Sequence, residues 1–218
     1  MSEISERLSF TIVNIGTLSM NKYWGETERK RAPSATCTLL DVDGIHVLVD
    51  PSPYPEQLQQ RLFATTGLRL NNIDLVFVTH YHADHRFGLE LFAGKPWLMS
   101  AAGIEEWRAA APHEQSLINA FSPAEKHLPA GVSMLATPGH TRAHTSLQAC
   151  TREGCLVVAG DAVMTRDFFA AAEGFHNSVD LVAARDSIHH IAQVATLIVP
   201  GHANYFVNNS SALSRPAS

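Results

Sequence analysis

The segment Thr79-His80-Tyr81-His82-Ala83-Asp84-His85 places three imidazoles and a carboxylate within six positions, at the end of an apolar run over residues 73–78. Neutral imidazole and carboxylate are ligands that zinc accepts, and manganese and iron take the same nitrogen and oxygen donors. Side chains two apart on an extended segment point the same way. His80 and His82 are therefore predicted to converge on one metal, while Asp84 and His85, past the strand end, turn toward a second. With 12 histidines in 218 residues, a chance HxHxDH is expected on the order of once in a thousand such chains, so this motif carries weight that a lone histidine would not.

Three later segments each put a potential ligand where a predicted strand meets a glycine: Thr137-Pro138-Gly139-His140, Gly160-Asp161 and Pro200-Gly201-His202. Each is weak alone. Together with the first motif they make an ordered series of donors at strand ends.

The elements that must position them are legible from hydrophobic pattern and turn residues. An opening strand is expected over residues 9–18, then a long polar loop over 20–34 that contains Tyr23 and Trp24 and reads as a solvated loop or a flap over a substrate. Residues 35–50 form a hairpin about Asp43-Gly44. Pro53-Tyr54-Pro55 opens a helix with Tyr54, Leu58 and Leu62 on one face, stopped near Gly67. After the metal-motif strand, Asp84 is placed to begin a helix that runs through Phe87, Leu89, Leu91 and Phe92 to Gly94. A strand over 95–100, a helix over 101–111 and a less regular stretch with helical patches follow. Strands return over 132–137, 144–151 and 155–159. Asn177-Ser178 is expected to cap a helix carrying Leu181, Ala184, Ile188 and Ile191, and a last strand over 195–199 leads into His202. The tail after Val207 is polar and expected to fray.

Composition bounds the class. The length and 45% hydrophobic content suffice for one large core, read as a single domain over residues 1–218 with its core at about 9–207. A formal charge of -5 gives no global attraction to nucleic acid or to an anionic membrane. Residues 1–7 lack the apolar centre of a signal peptide and no segment approaches a membrane span, so a cytoplasmic protein is expected. Cys37, Cys150 and Cys155 are too few for a disulfide framework. Cys150 and Cys155 could face each other across a hairpin, but reduced, buried thiols are the expectation in that compartment.

The ordered series HxHxDH, TPGH, GD and PGH, from about Phe10 to Phe206, resembles the metallo-β-lactamase fold superfamily. The resemblance implies an α/β fold of two similar halves packed sheet against sheet with helices outside, a four-layer αβ/βα sandwich. It further implies one metal held by His80, His82 and His140 and a second by Asp84, His85 and His202, with Asp161 bridging. Two Zn2+ ions are expected, with Mn2+ or Fe2+ as alternatives. Asp50 and Thr79 are expected to support ligand histidines from behind, although Pro51-Ser52 follows Asp50 where relatives often have Thr-Gly. Trp24, Arg86, Phe168 and Tyr205 are candidate pocket walls, as are Arg142, Phe169, His176 and Phe206 beside them. His46, His113, His127, His144, His176, His189 and His190 fit no ligand position and are expected to be structural or exposed.

The implied reaction is hydrolysis by a metal-bridging hydroxide, with Asp84 or a metal-held water handling the proton. Only 16 residues follow His202 (218 − 202 = 16), so the helical glutathione-binding domain that a glyoxalase II would carry there is not expected. The segments are too short for an RNA-binding arm. Met164 stands where lactonases of this pattern usually carry tyrosine. A small ester, thioester or lactone is the leading substrate class and a homo-oligomer is admissible. A phosphodiesterase or ribonuclease of the same fold is an alternative, as is a mononuclear-iron persulfide dioxygenase using His80, His140 and Asp161.

Overall fold

The computed structural model describes residues 7–209. Most of the N-terminal segment and the tail beyond 209, on which two of the expectations above fall, lie outside the described residues.

Two sheets carry the chain. The first runs β1 (Leu8–Asn14), β2 (Cys37–Val42), β3 (Ile45–Val49), β4 (Leu75–Phe77), β5 (Trp97–Met99) and β6 (Phe121–Pro123) in spatial order, antiparallel up to β3 and parallel beyond it. The second comprises β7 (Val132–Ala136), β8 (Thr145–Thr151), β9 (Gly154–Gly160), β10 (Leu197–Pro200) and β11 (Phe206–Val207), in the order β11-β10-β9-β8-β7. The β2–β3 turn has Asp43 and Gly44 both at positive φ, 53° and 89°, the backbone twist that two-residue hairpins require.

Alternation along the strands sorts side chains into layers. Val47, Val49 and Phe77 face inward onto Leu147, Val158 and Val199 of the second sheet. Leu48 and Val76 face outward, onto Leu58 and Leu62 of α1 (Pro55–Thr66) and Trp107 of α2 (Ala101–Ala110). On the opposite side Val157 and Ile198 meet Ile188 and Ile191 of α5 (Leu181–Val194), while the shorter α3 (Gln115–Ile118) and α4 (Arg166–Ala170) lie between these elements in sequence. Each fully buried large apolar side chain contributes roughly 1.5–3 kcal/mol relative to exposure. The order is helix, sheet, sheet, helix: the αβ/βα sandwich. No helix among the described residues is long and apolar enough to cross a membrane.

Several local expectations need correction. The helix expected from Asp84 to Gly94 is two 3-10 turns, Ala83–His85 and Leu89–Phe92. Gly88 explains why: a Cβ there would lie 2.4 Å from Leu58 Cδ2 and 3.1 Å from Pro53 O, so the segment is pressed against α1 and its loop and does not wind freely. Tyr54 leaves the Leu58 and Leu62 face and stacks, exposed, on Phe87. Asp180, not Asn177 or Ser178, caps α5, its Oδ1 accepting from the Val182 and Ala183 N–H groups. Val179 and Asp180 first pair their N–H groups with His140 O and Gly139 O, which delays the helix. β6 and α4 were not anticipated. Cys150 and Cys155 form a disulfide rather than two thiols, because β8 and β9 pair them directly; Cys37 is free and buried.

Candidate metal centre

Parallel pairing brings the C-terminal ends of β4, β9 and β10 toward one edge of the sandwich, where irregular segments carry the ligand-type side chains. His80 Nε2 lies 3.0 Å from His82 Nδ1, and His140 Nε2 lies 2.9 Å from the same atom. Asp161 Oδ2 is 3.2 Å from His140 Nε2 and 3.8 Å from His80 Nε2. Its other oxygen, Oδ1, faces His85 Nε2 at 3.0 Å and His202 Nε2 at 3.1 Å, with Asp84 Oδ2 3.8 Å from His202 Nε2. The seven residues singled out from sequence thus come together as two groups able to hold a metal ion, with Asp161 presenting one oxygen to each.

The donor atoms fit a cation. His85 Nε2 and Asp161 Oδ1 are buried and 3.0 Å apart, yet neither meets hydrogen-bond geometry with any partner. Leaving such atoms unpaired costs about 1–3 kcal/mol each, a cost that a metal at their common focus removes. Tautomers are arranged accordingly. The Thr79 hydroxyl donates to Asp50 Oδ2 at 2.9 Å and so accepts from His80 Nδ1 at 3.1 Å. His85 Nδ1 donates to the same Asp50 oxygen at 2.8 Å, and His202 Nδ1 donates to Ser34 O at 3.0 Å. In all three rings the Nε2 lone pair is left pointing into the centre. Asp50 also accepts the Thr79 N–H at 2.8 Å, and its backbone is left-handed, φ 51°, which costs a non-glycine residue about 1 kcal/mol.

The pattern that defines the metallo-β-lactamase superfamily matches residues 31–202. Metallo-β-lactamase domain-containing protein 1 of Rattus norvegicus is 30% identical over 199 residues, covering 85% of this chain and 74% of that one. The chain belongs to the metallo-β-lactamase superfamily. It is a metal-dependent hydrolase by that membership. Among solved structures, a metallo-β-lactamase-like protein from Thermotoga maritima superposes with TM-score 0.68 at 18% identity, over 93% of this chain and 100% of that one. AidC, a dizinc quorum-quenching lactonase solved with a product, superposes with TM-score 0.63 at 18% identity, over 77% and 72%.

In this member of the superfamily the two clusters differ electrostatically. Burial pulls the His80 imidazole well down, and pulls His140 down to about 4 against the opposing pull of Asp161. His82 is lowered by burial too. Burial also acts on His85 and His202, but there the carboxylates win: Asp161 and Asp50 raise His85 well above an ordinary histidine, and Asp161 raises His202. Asp161 itself stays ionised well below the usual carboxylate range, since His202, His85 and His140 outweigh its desolvation.

His144, expected from sequence to be structural or exposed, is structural and sits directly behind Asp161. It is buried, its Nε2 accepts the Asp161 N–H at 3.1 Å, and its Nδ1 faces Thr137 Oγ1 at 2.9 Å. Thr137 in turn pairs with Ser146, whose hydroxyl donates to Ala159 O. The only signal for it was a histidine four after His140 at the start of an apolar strand. Two motif glycines make room at the same place. A Cβ on Gly160 would lie 2.7 Å from Thr79 Oγ1, and one on Gly201 would lie 2.1 Å from Asp161 Oδ1.

A cleft of about 560 Å³ opens onto His82, Asp84, His140, Asp161 and His202. One side is apolar, with Leu18, Met20, Met164 and Phe175; Glu28, Arg29, His176 and Asn177 also line it. Residues 20–34 supply much of this wall and are strapped to the second half of the molecule. Lys22 and the Tyr23 hydroxyl both bind Glu173, and the Trp24 Nε1–H donates to Asp167 at 3.1 Å. Of the pocket candidates from sequence, His176 lines the cleft. Trp24 stands exposed on the strap, Arg86 is engaged with Glu114 and lies over Trp107, and Tyr205 packs on Phe10. Phe168 packs with Leu18, Met164 and Phe175 behind the cleft wall and lines a side pocket of about 100 Å³ next to the cleft. Phe169 packs with Phe206, and neither they nor Arg142 are among the residues lining the cleft.

Proposed function

We propose that this enzyme is a two-metal hydrolase, with zinc in both positions, acting on a small ester, thioester or lactone. The observation that carries the reading is Asp161, which turns one carboxylate oxygen to each cluster. When bound, the metal pair supplies Lewis-acid activation of water near neutral pH and stabilisation of developing negative charge. The remaining work falls to the chain. His80, His82 and His140 would hold one ion, Asp84, His85 and His202 the other, and Asp50 and Thr79 keep the rings turned inward. Asp84 lines the cleft with its side chain 19% exposed, and its carboxylate is the group that would take a proton from the attacking water and return it to the leaving group.

The walls support this substrate class. The cleft is small, and Leu18, Met164 and Phe175 present an apolar face beside the centre, which suits an acyl group. A side pocket of about 100 Å³ shares Met20, Phe175 and His176 with the cleft and extends that surface. AidC, a dizinc lactonase with the same fold, is compatible with both parts of the proposal.

The test is elemental analysis of the purified protein alongside a panel of esters, thioesters and lactones. About two zinc per chain and turnover of at least one panel member are expected. About one iron per chain with oxygen consumption on a persulfide would replace hydrolysis with oxygenation. No turnover by fully loaded protein would reject the substrate class.

A further inference from the structure

The inference concerns how His140 is held, and it rests on the metal-centre reading above. His80, His85 and His202 each have the outer ring nitrogen engaged by a hydroxyl, a carboxylate or a carbonyl. His140 does not: its Nδ1 is buried without a hydrogen-bond partner, and the residue is 2% exposed. No partner behind the ring steers it, so beyond its inner-nitrogen contacts with His82 and Asp161 its direction is inherited from the backbone of residues 138–143.

That backbone is gripped from two sides. On one side the second half of the molecule holds it: Pro138 O accepts the Ser187 hydroxyl at 2.7 Å, Gly139 O accepts the Asp180 N–H at 3.0 Å and His140 O accepts the Val179 N–H at 3.3 Å. Contact is so close that a Cβ on Gly139 would lie 2.2 Å from Ala184 N. On the other side one carboxylate reaches over from the first half. Glu106 Oε1 accepts the Arg142 N–H and Glu106 Oε2 accepts the Ala143 N–H, both at 2.7 Å. An ionised acceptor taking two backbone donors is among the stronger neutral-to-charged arrangements and fixes direction as well as distance.

α2 is a firm base for that grip. Next to Glu106, Trp107 is fully buried and its Nε1–H donates to Glu114 at 2.6 Å. Glu114 binds Arg86, whose Nε–H donates to Tyr81 O inside the first motif. The same helix thus reaches the loops of both His82 and His140.

We propose that Glu106 is a positioning residue for the metal position formed by His80, His82 and His140, acting by clamping the turn that follows His140. It touches neither metal nor substrate. Its removal frees one side of the turn and lets the His140 ring, whose outer nitrogen Nδ1 has no hydrogen bond to hold it, drift from the focus.

The experiment is metal titration of metal-stripped full-length protein against a chromophoric chelator, with Co2+ absorption recorded at each equivalent, for wild type, E106A and E105A. Glu105 is the control, since it pairs with Arg108 on the exposed side of the same helix. E106A is expected to weaken one of two equivalents about 10-fold or more and to alter its cobalt spectrum, leaving the other equivalent and E105A unchanged. Should E106A not fold, E106Q, which keeps one acceptor oxygen, carries the same test. Two equivalents bound as tightly as in wild type with unchanged spectra would overturn the role of Glu106. Equal weakening of both equivalents, tracking a fall in metal-free Tm, would reduce it to general stability. A wild-type protein that takes up no metal would instead refute the underlying metal-centre reading.

Discussion

His85 and His202 meet Asp161 Oδ1 with both outer ring nitrogens engaged inside the fold, whereas of the three histidines around Oδ2 only His80 has a close polar partner behind it. His82 faces the cleft and His140 has an unpartnered Nδ1. The two metal positions are therefore built by different means. One is set by hydrogen bonds to the rings themselves, the other by the shape of the loops that carry the rings. The charges follow the same division. Carboxylates near His85 and His202 raise them, while burial dominates at His80, His82 and His140 and lowers them.

Asp161→Ala erases the comparison by removing the residue common to both positions. It should lower metal content at both and reduce turnover on the order of 10³-fold, measured by elemental analysis and initial rates. Unchanged metal and rate would overturn the ligand assignment.

Asp50→Asn sharpens the comparison. The substitution keeps volume but withdraws the charge that His85 Nδ1 donates to, so the position of Asp84, His85 and His202 should lose about 10- to 100-fold in metal affinity. The other position, reached only through Thr79, should lose less. Sequential titration separates the two, and equal losses would mean the positions are not independently supported.

The smallest effect is one of pH on the metal-free protein. His140, at about 4, lies below the 6.5 of an unperturbed histidine. Its contribution to stability is complete above 6.5 and is lost as pH falls toward 4, at up to ~1.4 kcal/mol per pH unit. His85 and His202 act in the opposite sense: raised in the folded state, they contribute below 6.5, and that contribution is lost as pH rises through their raised values. Urea unfolding across pH should give a maximum near 6.5, and Asp50→Asn should lessen the alkaline fall while leaving the acid side as it is. A curve with no alkaline fall in the wild type would contradict the division between the clusters.

Much of this was legible in the sequence because the ligands follow strand ends, where apolar runs stop at glycine. The hairpin that ends at Asp50 was readable for the same reason, since Asp43-Gly44 declares its turn. The supports were harder to see. Glu106 is 36 residues from Arg142 and looks like any helical glutamate, and His144 looks like one more histidine among 12. Glu106 has no local signal at all, and His144 only its place four after His140. The walls of the cleft were read less well: Phe168 lines only the side pocket behind the cleft wall, and tertiary packing sends Trp24 and Tyr205 outward. Residues 84–94 read as helix from their apolar pattern, and the close approach of Gly88 to Leu58 decided otherwise.

Gly201 carries one more lesson. Its φ is not in the left-handed range, so its small size is not there for flexibility; the space above its α-carbon is occupied by Asp161 Oδ1. Even a methyl at this point would evict the oxygen on which His85 and His202 converge. A residue with no side-chain charge or donor thus sets how closely the acid can approach, and the centre is guarded by an atom that must never be added.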